Sequence, residues 1–233
     1  MQKHKTYFNW SSGKDSSFAL FLILKNAEYH LDLLVTTINS HFNRVSMHGL
    51  RRNVLEAQAK AINLPLKTIE LPEMPSTEDY EAIMLKATNS LVEANYTHCV
   101  FGDIFLEDLR TYRDNNLKPF NITPIYPLWK MDTKALITQF INLGFKAVVV
   151  CAKAEFFNED FVGQVLTHQL IKDFPEEVDV CGENGEFHTF CFDGPIFSSE
   201  VNYRLGEKTY REYDTPNTNN GKSGFWFCDV LLN

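Results

Sequence analysis

Strand-like and helix-like runs alternate over the first half of this chain, and that alternation limits the fold more than any other feature. Residues 7–10 read as a strand, 18–24 as a buried helix, and 31–38, rich in β-branched residues, as a second strand. Residues 50–63 have helical spacing, with Leu50, Val54, Ala57, Ala61 and Ile62 able to share one face. Residues 66–71 alternate as a third strand. Pro72 and Pro75 then break the chain, and Ser76 or Thr77 can cap a helix over 78–94. Residues 98–101 form a fourth strand ending at Gly102 and Asp103. Such βαβ alternation implies an α/β fold, a mainly parallel sheet flanked by helices. In such sheets ligands lie beyond the carboxyl ends of the strands. The turn at 11–16, the segment after Ile38 and the Gly102-Asp103 turn all fall at that end.

The first of these turns, Ser11-Ser12-Gly13-Lys14-Asp15-Ser16, carries the most chemistry. A helix start leaves backbone N–H groups without partners and bears partial positive charge. Small residues let an anion approach those amides, Lys14 adds a full charge, and the serines add donors. The reading is a phosphate or pyrophosphate cradle. It is not the GxxxxGK[ST] loop, because no glycine lies five residues before Gly13. For an adenine ring, the candidates are Thr37, Asn39, Met47 and His48, which follow the second strand.

Composition narrows the setting. The 233 residues suffice for a large core in one domain plus a smaller one. The apolar runs at 18–24 and 147–152 are too short to span a bilayer, and the N-terminus leads straight into a strand with no signal-peptide core. A cytoplasmic protein with no membrane partner is expected. Five widely spaced cysteines with no CxxC pair speak against a disulfide framework or a zinc site. The net charge of −8 makes nucleic acid an unexpected partner. Arg44, Arg51, Arg52, Arg110 and Arg113 are the only basic clusters.

The second half is less regular. A short helix is expected over 107–116, a proline-rich loop over 121–129, and a helix from a cap at Asp132 to Leu143. The clearest buried strand is 146–151. A helix is expected over 163–174, and antiparallel strands over 208–213 and 225–232, joined by a mobile loop at 214–224. Between them, Cys181-Gly182-Glu183-Asn184-Gly185-Glu186-Phe187-His188-Thr189 packs two carboxylates, an imidazole and a hydroxyl into nine residues. Gly182 and Gly185 allow tight turns, and Glu186 and His188 point the same way if the segment is extended. Such a group can position ammonia, take a proton or hold magnesium.

The first motif resembles the SGGKDS loop of the PP-loop ATP pyrophosphatases, with Ser12 in place of the first glycine. With Phe101-Gly102-Asp103-Ile104, Leu109-Arg110, Pro124 to Trp129, the motif at 181–189 and Asp193-Gly194-Pro195, the chain resembles the diphthine–ammonia ligase family over roughly residues 5–200. The resemblance implies an adenine nucleotide α-hydrolase-like (HUP) domain over 1–130 and a smaller C-terminal α+β part over 131–233. It implies ATP-dependent amidation of a carboxylate with ammonium, releasing AMP and pyrophosphate. The acceptor would be diphthine on elongation factor 2, and the cofactors ATP and Mg2+. Ser11, Ser12, Gly13, Lys14, Asp15, Ser16, Thr37, Met47, His48, Gly102 and Asp103 would bind nucleotide. Asp15 and Asp103 would hold the metal. Lys14, Asp15, Glu183, Glu186 and His188 would carry the chemistry. The alternatives are a PP-loop pyrophosphatase acting on a small molecule or tRNA, and a non-catalytic nucleotide-binding protein.

Overall fold

The computed structural model describes residues 3–46, 48–214 and 221–233. Its strands are β1 (His4–Asn9), β2 (Tyr29–Asn39), β3 (Arg44–Val45), β4 (Leu66–Leu71), β5 (His98–Val100), β6 (Thr123–Ile125), β7 (Lys146–Lys153), β8 (Phe187–Asp193), β9 (Tyr203–Asp214) and β10 (Lys222–Leu232). The helices are α1 (Lys14–Leu24), α2 (Arg52–Ile62), α3 (Thr77–Glu93), α4 (Glu107–Leu117), α5 (Thr133–Asn142) and α6 (His168–Lys172). The expected α/β class is what forms. One sheet runs β3-β2-β1-β5-β6 with β4 also on β2, and all pairs but β2–β3 are parallel. The other is antiparallel, in the order β8-β7-β10-β9.

The inner strands of the parallel sheet are apolar on both faces because both are covered. Phe8 and Leu34 enter one core and their neighbours Tyr7 and Val35 the other. Helices α1 and α2 lie between the two sheets, α1 against β2 and β8, α2 against β3 and β10. Their residues Phe18, Leu20, Val54 and Leu55 share one core with Val148, Phe190 and Val230 of the antiparallel sheet. On the far face, α3 packs on β4 and α4 on β6.

Four expectations change. The proline-rich stretch 121–129 contains β6, because Pro124 sits on an edge strand, where its missing N–H leaves no ladder bond broken. Residues 163–174 are helical only in α6. Residues 163–166 instead run along β7, where Val149 N–H donates to Gln164 O at 2.9 Å and Leu166 N–H to Ala147 O at 2.8 Å. The hairpin strands extend into 214 and 222–224, and the tip at 215–220 lies outside the described residues. The polar motif at 181–189 runs into a core strand, β8, whose Phe187, Phe190, Cys191 and Phe192 are buried.

Candidate active site

Strand β1 ends at Asn9 and α1 begins at Lys14, so the turn between them is short and must bend sharply. Ser12 makes the bend with φ 73°, in the left-handed region. A serine there costs about 1–2 kcal/mol relative to a relaxed backbone. Ser11 and Ser16 close the turn through a 2.7 Å bond between their hydroxyls, and Ser16 Oγ also accepts the Ser11 N–H at 3.3 Å. Gly102, at the end of β5, lies against the first turn of α1. A Cβ there would stand 3.1 Å from Ser16 N, so any larger residue would push the turn back by a few tenths of an ångström.

The second motif completes the first. Strand β8 lies alongside the turn, and Cys191 N–H donates to Ser12 O at 2.9 Å. Thr189 Oγ1 accepts the Lys14 N–H at 3.0 Å, which satisfies one of the helix-start amides. The Lys14 side chain is buried. Its Nζ lies 2.7 and 2.6 Å from the two Asp15 carboxylate oxygens and donates to Cys181 O. Burial works against the Lys14 charge, but Asp15, then Cys181 and Glu183, outweigh it, and the pKa is raised. The ammonium also stands 5.5 Å from the Phe187 ring.

Acidic side chains gather beside this lysine. Glu183 Oε1 accepts from Ile104 N–H at 2.6 Å and Phe105 N–H at 3.3 Å, just past Asp103. Burial pushes the Glu183 carboxyl up to about 7, with Asp15 and Asp103 adding to the rise against its two backbone bonds. Asp103 is likewise raised by burial, opposed by Arg113, whose Nη1 lies 2.9 Å from Asp103 Oδ2. That pair is a charge contact without hydrogen-bond geometry, since the same Oδ2 has no hydrogen-bond partner. Asp179 Oδ2 accepts the N–H groups of Cys181 and Glu183 and so shapes the motif from within. Gly182 turns the chain at φ 70°, where a Cβ would meet Phe187 O at 2.8 Å.

Two histidines meet on the other side of the turn. The His48 and His188 rings face each other at a tilt of 33°, with centroids 4.6 Å apart. His48 is pushed down to about 3 by burial, then His188 and Lys14, and His188 to about 4 by burial and Lys14. Both are neutral imidazoles at pH 7. Glu186 is buried, with Oε1 accepting from Asp179 N–H and Asn184 Nδ2, each at 3.0 Å. Buried polar atoms normally have partners. Among the described residues, those without one are Ser12 Oγ, His48 Nδ1, Asp103 Oδ2 and Glu186 Oε2. All four belong to the two motifs or to segments packed against them. A cluster of unmet polar atoms around a helix start is what a polar ligand would satisfy.

The structure therefore brings together Ser11, Ser12, Gly13, Lys14, Asp15, Ser16, Gly102, Asp103, Glu183 and His188. The adenine candidates lie on β2 and the segment after β3, where Ser46 N–H donates to Thr37 O at 3.1 Å. His48 joins His188 against Gly13, where a Cβ on Gly13 would be 3.4 Å from His48 Cε1. Asn39 is occupied in its own turn, accepting from Phe42 N–H at 3.2 Å. Thr37 is half-buried on β2, and Met47 lies outside the described residues. Among the described residues, no three His, Cys, Asp or Glu side chains are grouped to hold a metal alone. Magnesium brought by phosphates needs only one or two carboxylates, however, and Asp103, whose Oδ2 faces Arg113 without a hydrogen bond, together with Asp15 fits that demand. Sequence reasoning missed Thr189 as a binder of the turn, Asp179, and Gln58. For Gln58 the signal was a polar residue in the apolar row Val54, Gln58, Ile62.

Two family models match the chain: the diphthamide synthase N-terminal domain over residues 4–117 and the diphthamide synthase C-terminal domain over 132–217. The chain belongs to the diphthamide synthase family. Among relatives, the diphthine–ammonia ligase of Mus musculus is 24% identical over 220 residues, covering 82% of this chain and 79% of that protein. The Homo sapiens diphthine–ammonia ligase is 28% identical with the same coverage. Two solved structures align at a TM-score of 0.39. One is a predicted subunit of tRNA methyltransferase from Methanocaldococcus jannaschii, 18% identical over 64% of this chain and 79% of that one. The other is the U34-tRNA thiolase NcsA from Methanococcus maripaludis, 15% identical over 62% and 59%. As a member of the diphthamide synthase family the chain is an ATP-dependent ligase with a PP-loop domain. No helix among the described residues is long and apolar enough to cross a membrane.

Proposed function

We propose that this enzyme amidates diphthine on elongation factor 2 with ammonia, through an acyl-adenylate, releasing AMP and pyrophosphate. A carboxylate is a poor electrophile. Its oxygen would attack the α-phosphorus of ATP, the bond to the β-phosphate oxygen would break, and pyrophosphate would leave with the electron pair. Ammonia, once ammonium has lost a proton, would then attack the acyl carbon and expel AMP. Lys14 and the N–H groups at the start of α1 would stabilise charge growing on pyrophosphate. Magnesium bound to the phosphates would neutralise their charge, with Asp15 and Asp103 as its protein oxygens. Glu183, Glu186 and His188 would face the acceptor and ammonia, so the division of labour follows the two motifs, 1–130 for nucleotide and 131–233 for acceptor.

The observation that carries this reading is the joining of the motifs: Thr189 binds the Lys14 amide and Glu183 reaches the Ile104 amide. One site thus offers a phosphate cradle beside a carboxyl near neutrality. The test is the products of turnover with diphthine-bearing elongation factor 2. AMP, pyrophosphate and amide in equal amounts, dependent on ammonium, are expected. ADP as product, or turnover indifferent to ammonium, would refute it.

A further inference from the structure

Gln58 is a polar side chain with no exposed surface, set in the middle of α2 and facing the turn at Ser12. The indole Nε1–H of Trp10 donates to Gln58 Oε1 at 2.8 Å. An indole nitrogen can only donate, so this bond fixes which end of the amide is oxygen. The Nε2 group then faces two backbone carbonyls, Ser12 O at 2.9 Å and Cys191 O at 2.6 Å. The amide thus accepts once at its oxygen and donates to two carbonyls from its nitrogen. Ser12 O receives two donors in all, Gln58 Nε2 and Cys191 N–H. Ser12 itself holds φ 73°, and its own hydroxyl makes no bond in that place.

We propose that Gln58 is a positioning residue for the phosphate loop, its buried amide pinning the Ser12 carbonyl so that a serine can occupy the left-handed turn. The inference rests on the reading that this loop grips the phosphates of ATP. The peptide unit is planar with N–H and C=O on opposite sides. Pinning Ser12 O toward α2 and β8 therefore aims the Gly13 N–H the other way, toward Ser11 and the mouth of the loop, where it stands 3.4 Å from Ser11 Oγ. A glycine at position 12 would adopt the same φ with no steric penalty and would not need the pin. The serine makes the pin necessary, and the single amide ties together the end of β1, the loop and β8.

The experiment is a double-mutant cycle on ATP affinity, by calorimetry, with thermal melting beside it. Gln58→Glu keeps an acceptor for Trp10 but turns the two donors into an oxygen facing carbonyls. It should weaken ATP binding at least about tenfold in the Ser12 background and less than about threefold in the Ser12→Gly background, a non-additivity expected of groups in direct contact. Gln58→Met, which removes the donors without adding a charge, should show the same dependence on background. A merely structural glutamine would lower the melting temperature in both backgrounds and give equal affinity losses in both, and that outcome overturns the proposal. Unchanged affinity in folded Gln58→Glu does so too. If neither single variant folds, recovery of ATP binding on adding Ser12→Gly supports the pin, and no recovery refutes it. If the unmutated protein binds no ATP, the phosphate-loop reading falls first and the pin with it.

Discussion

The two motifs of the site are built on different physical principles. The turn at 11–16 acts through its backbone: a helix start, a left-handed residue and one buried lysine. Its place between a strand and a helix follows from adjacent residues, although Gln58, Thr189 and Cys191 hold it from a distance. The motif at 181–189 acts through side chains held by distant partners, Glu183 by the amides of Ile104 and Phe105, and His188 by ring contact with His48. A helix start needs only a local signal. Carboxylates and imidazoles kept out of water need a wall, and the wall comes from the rest of the fold.

The largest effect is expected from the first motif. Lys14→Ala should lower ATP turnover by at least about tenfold, the scale of one lost charge-assisted contact, and weaken nucleotide binding and amide formation together. Amide formation that survives while nucleotide binding falls would break the comparison. The next effect should be selective. Glu186→Gln keeps an acceptor for the Asp179 and Asn184 donors and removes the charge at the unpartnered Oε2. ATP affinity should stay within about twofold while amide formation drops about tenfold. A loss of ATP affinity instead would place Glu186 in the nucleotide site, and normal amide formation would remove it from the chemistry.

Glu183 sharpens the contrast through pH. Its carboxyl is raised to about 7 from an ordinary 4.5, so the folded protein holds a proton that the unfolded chain releases. The linked stability is fully present below about 4.5 and is lost as pH rises toward 7. Glu183→Gln removes that loss, so its melting temperature relative to the parent should be higher at pH 8 than at pH 5. An offset independent of pH would mean that Glu183 is an ordinary ionised carboxylate. The histidines have the opposite sign. Folded values of about 3 and 4 lie below 6.5, so their stability is present above 6.5 and fades as pH falls.

The smallest effect is expected at Asp229 on β10, which accepts from Arg44 at 2.8 Å and from Arg51 at 2.6 Å and is held down to about 2. This clasp joins the two sheets without touching either motif. Asp229→Asn should cost no more than about 1 kcal/mol in chemical denaturation and leave ATP affinity unchanged. A marked loss of affinity would mean that the packing of the halves, rather than the two motifs, governs the site.

The parallel sheet was legible because strands with two covered faces and helices between them each leave a periodic mark. The turn at 11–16 was legible for the same reason, being marked by the strand before it and the helix after it. The second motif was located by composition, but its burial was not foreseen. Glycines, Glu183 and Asn184 look like a solvated loop until Phe187, Phe190 and Phe192 are read as a core strand. Residues 163–166 misled in the opposite way, since a segment read as helical is instead bonded to Ala147 and Val149, on a stretch of β7 that β10 does not pair. Gln58 was overlooked because nothing local requires it. Its partners, Ser12 and Cys191, lie 46 and 133 residues away.

The bond from Lys14 N–H to Thr189 Oγ1 spans 175 residues and has a consequence for the order of synthesis. The ribosome delivers the phosphate turn almost first and the strand that completes it near the end. While the chain is still growing, Ser12 O and the Lys14 amide have neither Cys191 nor Thr189 to meet, although β1, α1 and β2 can already pack. With the turn at 11–16 as the proposed phosphate site, a nascent chain would carry the sequence of that site without its finished shape. Nucleotide capture would then wait until β8 has left the exit tunnel and docked.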